Sequence, residues 1–504
     1  MINFINYRFI SDYIVSLSLN FILLLILFNL AVCVIIQTVH FMTLSKPSFT
    51  KPKLKKSNIK SEPFISIHVP SYNEPSDILI ETLNAIKALK YKNYEVIILD
   101  NNTPDSSVYE PVKHYCEELG SQFRFYHFDN VKGAKAGALN IALELTNSRA
   151  EHVAVIDADY QVMPNFLSVA AKHLANSGVS FVQFPQAYRG SSSHTAAVEE
   201  ELADYFEAFA RRANENSAVL LTGTLSVLRI SHLKSVGGWS GKTVTEDAEL
   251  GVRLFMKGYS GIFVPQIVGR GLLPLSFISL QKQRDRWVAG NAQTLIKTLS
   301  LIISNGWRKG ALSVIAQLTA WPAFWLVPSI FLIFASLMPS DTAFLESATF
   351  LASITILGSS LTVTARLLLC AYIKKQSLNH IPAALMVKLA LVWTSSFSFL
   401  PALAGKSIGF ARTSKTVGSD IVSGRSFGLS IGSAFFAKWV LCVSALACSV
   451  VYSFQGHFLA SFACFLIASS IPAAWRVETC LIRYSKNTAN NGDRYALCSH
   501  HTNI

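Results

Sequence analysis

Residues 152–159 read His-Val-Ala-Val-Ile-Asp-Ala-Asp, an apolar run that ends in two carboxylates two positions apart. A short apolar run bounded by polar residues is typical of a buried strand, and residues two apart on a strand share a face. A break in the strand there would let Asp157 and Asp159 turn toward one hard cation, Mg²⁺ or Mn²⁺, which can bridge a diphosphate. A turn with two solvated aspartates at a strand end would explain the same residues. The surrounding sequence is therefore needed to distinguish a metal site from such a turn.

The sequence on both sides alternates between candidate strands and candidate helices. Strands are predicted at 64–69, 95–99, 123–128, 152–156 and 180–184, and helices at 77–89, 108–119, 134–146 and 165–176. This alternation predicts a parallel sheet covered on both faces by helices. Ligands bind such sheets at the carboxyl ends of the strands, where the polar stretches 70–74, 100–102 and 157–159 fall.

The amino-acid composition indicates that the chain also contains membrane-spanning segments. Of the 504 residues, 51% are hydrophobic and 15% are charged, whereas a soluble domain carries about 25% charged residues. This excludes a disordered tail and a charge-rich nucleic-acid-binding protein in spite of the net charge of +13. The eight cysteines stand singly with no CxxC pair, which argues against a disulfide framework or a zinc site.

One apolar segment precedes the α/β domain. Residues 14–36 carry no charge, are long enough to span a bilayer and lack the cleavage site of a signal peptide. Lysines follow at once and mark the cytoplasmic side. They are Lys46, Lys51, Lys53, Lys55, Lys56 and Lys60.

Four more spans are predicted after the domain, at 311–338, 346–371, 432–453 and 458–475. The stretch 381–403 holds Lys388 and two prolines, and a further crossing there would put the basic loop 406–425 outside. We therefore predict that it lies in the membrane interface.

The predicted architecture is a cytosolic, Rossmann-like α/β catalytic domain with an α-helical transmembrane domain of about five spans. Its segments are a transmembrane helix (1–40), a basic linker (41–60), the α/β domain (61–306), transmembrane helices (307–380), an interfacial helix with the loop after it (381–430), transmembrane helices (431–476) and a cytosolic tail (477–504), frayed after Ser485.

Three further motifs carry candidate chemistry, and each has a plain structural explanation as well. Thr245-Glu-Asp247 opens a predicted helix; Thr245 could simply cap it, or Asp247 could be a general base for an alcohol, a role that contributes about 10²–10⁴ in rate. Gln283-Arg-Asp-Arg-Trp287 could anchor at lipid headgroups, or could form a sugar acceptor site. In that site Trp would offer a flat apolar face to a pyranose ring, Gln a hydrogen-bonding amide, and Arg a cation for the departing diphosphate. Lys135 lies in a glycine-rich helix start that lacks the P-loop spacing but suits a phosphate contact.

The order of these motifs resembles the membrane-embedded family-2 glycosyltransferases of the cellulose synthase-like group, which includes bacterial β-glucan synthases. The resemblance covers residues 64–415. The matching stretches are Pro70-Ser-Tyr-Asn-Glu-Pro75, Asp100, Lys135-Ala-Gly-Ala-Leu-Asn140, Asp157-Ala-Asp159, Thr245-Glu-Asp247, Gln283-Arg-Asp-Arg-Trp287 and Phe410-Ala-Arg-Thr-Ser-Lys415. The last is similar to the FxVTxK gating loop of that group, with Arg412 in place of Val.

The resemblance implies a GT-A fold, a UDP-sugar donor, Mg²⁺ or Mn²⁺, and inversion at the anomeric carbon. It also implies a role for each matching residue. Tyr72, Glu74 and Asp100 would hold the uridine, Lys135 and Asp157 would contact the diphosphate, and Asp159 with Asp157 would bind the metal. Asp247, with Glu246 beside it, would be the catalytic base. Gln283, Arg286 and Trp287 would form the acceptor site, and Phe410, Thr413 and Lys415 would close over the nucleotide.

The expected function is a processive synthase that extends a β-glycan from UDP-glucose and exports it through the membrane. The alternative is a non-processive glycolipid synthase of the UDP-glucose:diacylglycerol glucosyltransferase type, which would use the same donor site. A transporter that merely binds nucleotide is disfavoured, because five spans are few for a carrier. Expected partners are the UDP-sugar, a glycan or lipid acceptor, membrane lipid, and export or regulatory subunits, with no nucleic acid; the expected location is the bacterial inner (plasma) membrane.

Overall fold

The computed structural model describes residues 2–44, 62–190, 195–304, 309–338, 343–374, 378–405 and 433–490. The chain forms two compact units. The α/β unit comprises the described residues of 42–321, 398–423 and 480–504, and the helical unit comprises those of 1–41, 322–397 and 424–479.

The α/β unit is built on a seven-stranded sheet with a separate two-stranded ribbon. The strands are β1 (Ile65–Ser71), β2 (Tyr94–Asn101), β3 (Phe123–Phe128), β4 (His152–Val155), β5 (Gln161–Val162), β6 (Val179–Gln183), β7 (Ser226–Arg229), β8 (Ser260–Phe263) and β9 (Gly269–Arg270). The large sheet has the order β3-β2-β1-β4-β7-β6-β8, and β5 pairs with β9. Six strands run in one direction, and β7 is antiparallel to both of its neighbours.

Helices connect these strands and cover the sheet. They are α2 (Ser76–Lys87), α3 (Ser106–Leu119), α4 (Ala134–Leu145), α5 (Phe166–Leu174), α6 (Ala196–Tyr205), α7 (Arg211–Ala213), α8 (Ile230–Ser235), α9 (Glu246–Met256), α10 (Phe277–Ser304), α11 (Ala311–Leu318) and, near the end of the unit, α16 (Leu400–Leu403). A π-helical turn, Phe206–Ala210, joins α6 to α7. The core between sheet and helices contains fully buried Ile65, Ile67, Leu83 and Phe166.

Strand register brings the polar strand ends to one edge of the sheet. β1 and β2 pair from Ile65 opposite Tyr94 to Ser71 opposite Asp100. β4 pairs with β1 on its other side up to His68 opposite Val155. Because all three strands are parallel, the residues that follow them meet at the same edge.

The five predicted strands and the four predicted helices are confirmed, with ends that differ by one or two residues. The prediction missed β5, β7, β8 and β9, each of four residues or fewer. β7 makes the sheet mixed rather than wholly parallel. None of the four shows an apolar run like that of β4: β7 and β8 hold two apolar residues each, and β5 and β9 have only two residues.

The helical unit contains α12 (Leu326–Ala335), α13 (Ala343–Lys374), α14 (Ile381–Ala390), α15 (Val392–Phe397) and α17 (Ser433–Phe454). It also contains α1 (Ile2–Leu44) up to residue 41 and α18 (Phe458–Asn490) up to residue 479. Among the described residues, four helices are long and apolar enough to cross a membrane. Their apolar windows are Asn20–Met42, Ala343–Tyr372, Ala437–Phe454 and Phe458–Ser485. They match four of the five predicted spans.

The fifth predicted span, 311–338, is wrong as a continuous helix. It divides into α11 and α12, and the first of these belongs to the α/β unit, where Val314 packs in a cluster with Val252 and Phe255. Pro322 lies in the break, where proline removes a backbone donor and limits the conformation of the residue before it. α18 also continues to Asn490, beyond the predicted start of a frayed tail at Ser485.

The stretch predicted to lie in the interface forms a bent pair of helices. Leu378–Ala390 and Val392–Leu403 meet at 48°, which suits a broken span or a re-entrant segment. Counting this pair as one span would give five candidate spans in the described parts of the chain. Its interfacial position and the orientation of the membrane helices stay predictions.

Candidate functional site

A cleft of about 420 Å³ lies at the carboxyl ends of β1, β2 and β4. It gathers ten of the residues predicted for the site. They are Tyr72, Glu74, Lys135, Asp157, Asp159, Glu246, Asp247, Gln283, Arg286 and Trp287. Phe410, Thr413 and Lys415 lie outside the described residues.

The Asp157-Ala-Asp159 turn after β4 is held by backbone hydrogen bonds to side chains from elsewhere in the unit. The Asp157 N–H donates to the Thr224 hydroxyl over 3.0 Å, and the Thr82 hydroxyl donates to the Ala158 carbonyl over 2.7 Å. The chain thus leaves the strand in a fixed turn, and both carboxylates line the cleft.

Arg189, which was not predicted, holds the backbone of Asp159. Its guanidinium donates to the Asp159 carbonyl over 2.8 Å and pairs with Glu81 at 3.0 Å. The Asp159 carboxylate accepts a long bond, 3.4 Å, from the Leu272 N–H. Arg189 comes from the loop after β6, about thirty residues away, so no local pattern marks it.

Lys135 connects the acidic groups at the two ends of the cleft. Its ammonium donates to the Asp157 carboxylate and, over 2.8 Å, to the Gly223 carbonyl, and it lies 3.9 Å from a Glu246 oxygen. Burial lowers the pKa of Lys135, but the attraction of Asp157 and Glu246 outweighs burial, and the net pKa is raised. Lys135 is therefore a permanent cation at the amino-terminal turn of α4, where the helix also favours an anion.

Asp247 lies in the first turn of α9, and its Oδ1 accepts the Ala248 N–H over 2.8 Å. Thr245 occupies the N-cap position of α9 but makes no side-chain capping bond, so the predicted capping by its hydroxyl is wrong. The Thr245 Oγ1 is buried and has no hydrogen-bond partner among the described residues. Glu246 and Asp247 lie in the first turn, where the helix dipole favours acids, and both also line the cleft.

The environment of Asp247 makes its carboxylate a suitable proton acceptor. Burial raises the pKa of Asp247, and the Glu246 carboxylate raises it further. Lys135, the Ala248 N–H and Arg286 oppose this rise, and the resulting pKa is about 7. A general base is most effective when its pKa lies near the working pH.

Gly223 allows this close approach of base and cation. Its φ is +82°, and a Cβ there would lie 2.8 Å from Asp247 Oδ2 and 3.5 Å from Lys135 Nζ. Only glycine adopts such a conformation without strain while leaving that space open. Gly223 was not predicted, and the Gly-Thr pair at 223–224 is the only local feature that marks it.

α10 supplies the third side of the cleft through Gln283, Arg286 and Trp287. The Gln283 Oε1 accepts hydrogen bonds from the Tyr188 hydroxyl at 3.2 Å and from Arg284 at 2.7 Å. The amide oxygen is therefore occupied, and the amide nitrogen is the group that Gln283 can offer to a ligand.

Behind Asp247 lies a second, smaller cavity of about 50 Å³. Its aromatic lining comes from Tyr205, Phe206, Trp287 and Trp321. Trp321 stacks on Tyr205 with ring centroids 5.3 Å apart, and it lies 5.0 Å from Trp287. Tyr205 and Trp321 were not predicted, because they come from segments distant in sequence from the motifs.

Asp100 does not line the cleft. The side chain is buried at 2% exposure, and its Oδ1 accepts hydrogen bonds from Ser71 at 2.9 Å and Thr103 at 2.8 Å. Its Oδ2 lies 2.8 Å from His127 Nδ1. Asp100 thus ties the ends of β1 and β2 together, and its predicted contact with the nucleoside stays a prediction.

Comparison with known proteins identifies the class to which this fold and cleft belong. The family described as "Glycosyl transferase family group 2" matches residues 152–410, just over half of the chain. "Glycosyl transferase family 2" matches residues 66–237. The chain therefore belongs to family 2 of the glycosyltransferases, and its α/β unit is a GT-A domain.

Sequence relatives of the chain show which group of family-2 glycosyltransferases it resembles. The chain is 30% identical over 253 residues to glucomannan 4-β-mannosyltransferase 7 of Arabidopsis thaliana, covering 48% of this chain and 45% of the relative. It is 27% identical over 281 residues to glucomannan 4-β-mannosyltransferase 1 of Oryza sativa subsp. japonica, covering 54% and 52%. The match spans about half the length of these relatives. Together they confirm the resemblance to the cellulose synthase-like group.

Among solved structures, the chain is similar to a mannosyltransferase from Pyrobaculum calidifontis in complex with GDP-Man and Mn²⁺. The TM-score is 0.47 at 19% identity, with coverage of 74% of this chain and 99% of that one.

Proposed function

We propose that the chain is an inverting, processive β-glycan synthase that transfers hexosyl units from a nucleotide sugar to a growing polysaccharide at a membrane. The observation that carries this proposal is the convergence of Asp247, Asp159 and Trp287 on one cleft. A base, an acidic pair for a metal diphosphate and an aromatic plane for a pyranose ring are what sugar transfer by direct displacement requires.

The donor sugar of the proposal is mannose, with glucose as the competitor. The sequence motifs led us to expect UDP-glucose, whereas the relatives in plants are named as mannosyltransferases. Those names favour a mannosyl donor. The names of the relatives do not specify whether the sugar is carried by UDP, as expected from the sequence, or by another nucleoside diphosphate.

In the proposed step, the Asp247 carboxylate takes the proton of an acceptor hydroxyl, and the freed oxygen bonds to the anomeric carbon. The bond from that carbon to the diphosphate oxygen breaks on the opposite face, and the nucleoside diphosphate leaves with the electron pair. Lys135 and Arg286 are cations of the cleft that would stabilise the charge of the leaving group. Trp287 would hold the acceptor ring, and the Gln283 amide nitrogen would orient one of its hydroxyls.

A divalent cation fits the acidic pair. No group of three or more His, Cys, Asp and Glu side chains that could hold a metal ion occurs in the described part of the chain. Mg²⁺ and Mn²⁺ sites that are completed by a substrate diphosphate need only one or two carboxylates. Asp159 and Asp157 would hold the ion, which would neutralise charge on the diphosphate when bound.

The small aromatic cavity favours a polymer over a glycolipid product. Tyr205, Trp287 and Trp321 line this cavity together with Asp247, and the sugar rings of a glycan can pack against aromatic side chains. Extension with export would use the four candidate membrane helices, which support a membrane location. A bacterial inner membrane and a cytosolic catalytic domain remain parts of the proposal.

A product assay with full-length protein in detergent or nanodiscs tests the proposal. The protein is incubated with radiolabelled GDP-mannose, UDP-mannose, UDP-glucose or GDP-glucose, with Mg²⁺ or Mn²⁺ and a short β-linked oligosaccharide. We expect a long glycan, sensitive to a β-mannanase, from a mannosyl donor. A glucan from UDP-glucose would overturn the mannose assignment, and a single chloroform-extractable product would overturn processive synthesis.

A further inference from the structure

One ion pair of the α/β unit is fully buried and close to the candidate acceptor site, yet neither partner lines the cleft or the small cavity. Arg284 and Glu201 are 1% and 2% exposed. The Arg284 Nη2 donates to the Glu201 carboxylate, from α10 to α6. Neither residue is among those lining the two cavities. The pair is thus unable to touch a sugar or a nucleotide held there.

Arg284 contacts the aromatic residues that do line the site. Its guanidinium carbon lies 4.3 Å from the centroid of Trp287 and 5.0 Å from that of Trp321. A guanidinium at such a distance over an indole is attracted by the ring, and the attraction is strongest when water is excluded. One cation therefore holds two of the rings that face the small cavity.

The same guanidinium also fixes Gln283. Its Nη1 donates to the Gln283 Oε1 over 2.7 Å, and Gln283 lines the cleft, so the amide nitrogen is the group that it can offer to a ligand. The planar fork of arginine can serve the carboxylate and the amide at once while its face lies on the indoles. Lysine offers a single ammonium point and no planar face.

We infer that Arg284, held by Glu201, is a positioning residue that sets the orientation of Trp287 and Gln283 toward the acceptor sugar. Burying two charges is costly, and a buried pair is often no more stable than an apolar replacement. A pair kept inside a fold at that cost, with its cation on two site rings, is explained by positioning rather than by stability. This inference deepens the proposed function, and the measurements of sugar transfer that test it rest on that function.

The first arm of the test is spectroscopic and needs no activity. The emission of Trp287 is obtained as the difference between a protein and its Trp287→Phe counterpart, in the parent and in the Arg284→Met background. We expect the Trp287 spectrum to shift to longer wavelength and acrylamide quenching to rise in Arg284→Met. An unchanged Trp287 spectrum and quenching would overturn the inference, whatever the protein transfers.

The second arm separates positioning from folding. Arg284→Met and Glu201→Gln each remove one charge of the buried pair and keep the other, and should lower the melting temperature. The double variant removes both charges and should recover much of it. We expect kcat for transfer to an added oligosaccharide to stay ~100-fold low in the double variant, as misplaced reacting groups typically cost. Binding of the free nucleoside diphosphate should stay unchanged. Recovery of kcat together with melting temperature would overturn the inference.

Two further variants serve as comparison. Arg211→Met removes a partly exposed pair with Glu207 at 2.7 Å, just beyond α6, and should leave kcat unchanged. Arg284→Lys keeps the charge without the fork and should restore the melting temperature but not kcat. If the spectroscopic arm holds while no donor is transferred by the parent protein, the proposed function fails and the positioning of Trp287 stands.

Discussion

The Lys135 ammonium donates a hydrogen bond to the Asp157 carboxylate and lies 3.9 Å from a carboxylate oxygen of Glu246. One cation thus faces both the acidic turn proposed for the metal diphosphate and the acidic turn that carries the proposed base. Removal of Lys135 would take away the cation that both turns share in a partly buried cleft. The two halves of the site are therefore electrostatically dependent on each other.

Replacing Lys135 by Met should weaken nucleotide binding. Hydrogen bonds to charged groups are worth about 1.5–3 kcal/mol, which corresponds to a roughly 10- to 100-fold rise in the Kd of the nucleoside diphosphate. Calorimetric titration measures this. Lys132→Met in the same loop is the matched control, because Lys132 is exposed and does not line the cleft. Equal effects of the two substitutions would contradict the assignment.

Transfer should depend on the protonation of Asp247. The pKa of Asp247 is about 7 because burial and Glu246 raise it, and a base must be deprotonated to act. The rate should fall about tenfold per pH unit well below 7 and level off above 7. Glu246→Gln removes a carboxylate that raises this pKa, so the acid limb of kcat/KM should move to lower pH. A profile that is flat from pH 5 to 8 would contradict the role of Asp247.

A methyl group at Gly223 should displace the base. The added Cβ would lie 2.8 Å from Asp247 Oδ2, and φ at this position is +82°. We expect kcat to fall ~100-fold in Gly223→Ala, the cost of a small misplacement of reacting groups. Gly237→Ala is the control, since its φ is +83° and nothing lies within 4 Å of the new atom. A similar loss in both variants would assign the effect to backbone strain instead.

Removing the indole of Trp287 should weaken the acceptor rather than the donor. Trp287→Ala deletes a ring face that lines both cavities. Loss of an aromatic contact worth about 1–1.5 kcal/mol should raise the KM for an oligosaccharide acceptor roughly 5- to 10-fold. The KM for the nucleotide sugar should stay within error of the parent. A rise in the donor KM alone would move Trp287 out of the acceptor site.

The sequence predicted the parts of the site that local patterns carry. Asp157 follows an apolar strand and Lys135 opens a glycine-rich helix, so the rules for parallel sheets bring both to one edge. The start of a helix at Thr245-Glu-Asp247 could also be predicted, because acidic residues are favoured in the first turn of a helix. These relations depend on neighbours in sequence.

Pairings between distant residues could not be predicted in this way. Arg284 and Glu201 are 83 residues apart, and nothing near either residue indicates the other. Asp100 has the position of a ligand at a strand end, yet its oxygens form hydrogen bonds with three neighbouring side chains.

The break at Pro322 was missed for another reason. Hydropathy is averaged over a window of residues, so an apolar stretch with a break in it is assigned to one span.

The most direct test of the central claim is the Asp247→Asn variant, because Asn keeps the shape of the side chain without a carboxylate to accept the proton. We expect transfer from the nucleotide sugar to fall by about 10²–10⁴, while the Kd for the nucleoside diphosphate changes less than twofold. Sugar transfer at the parental rate by a folded Asp247→Asn protein would contradict the account.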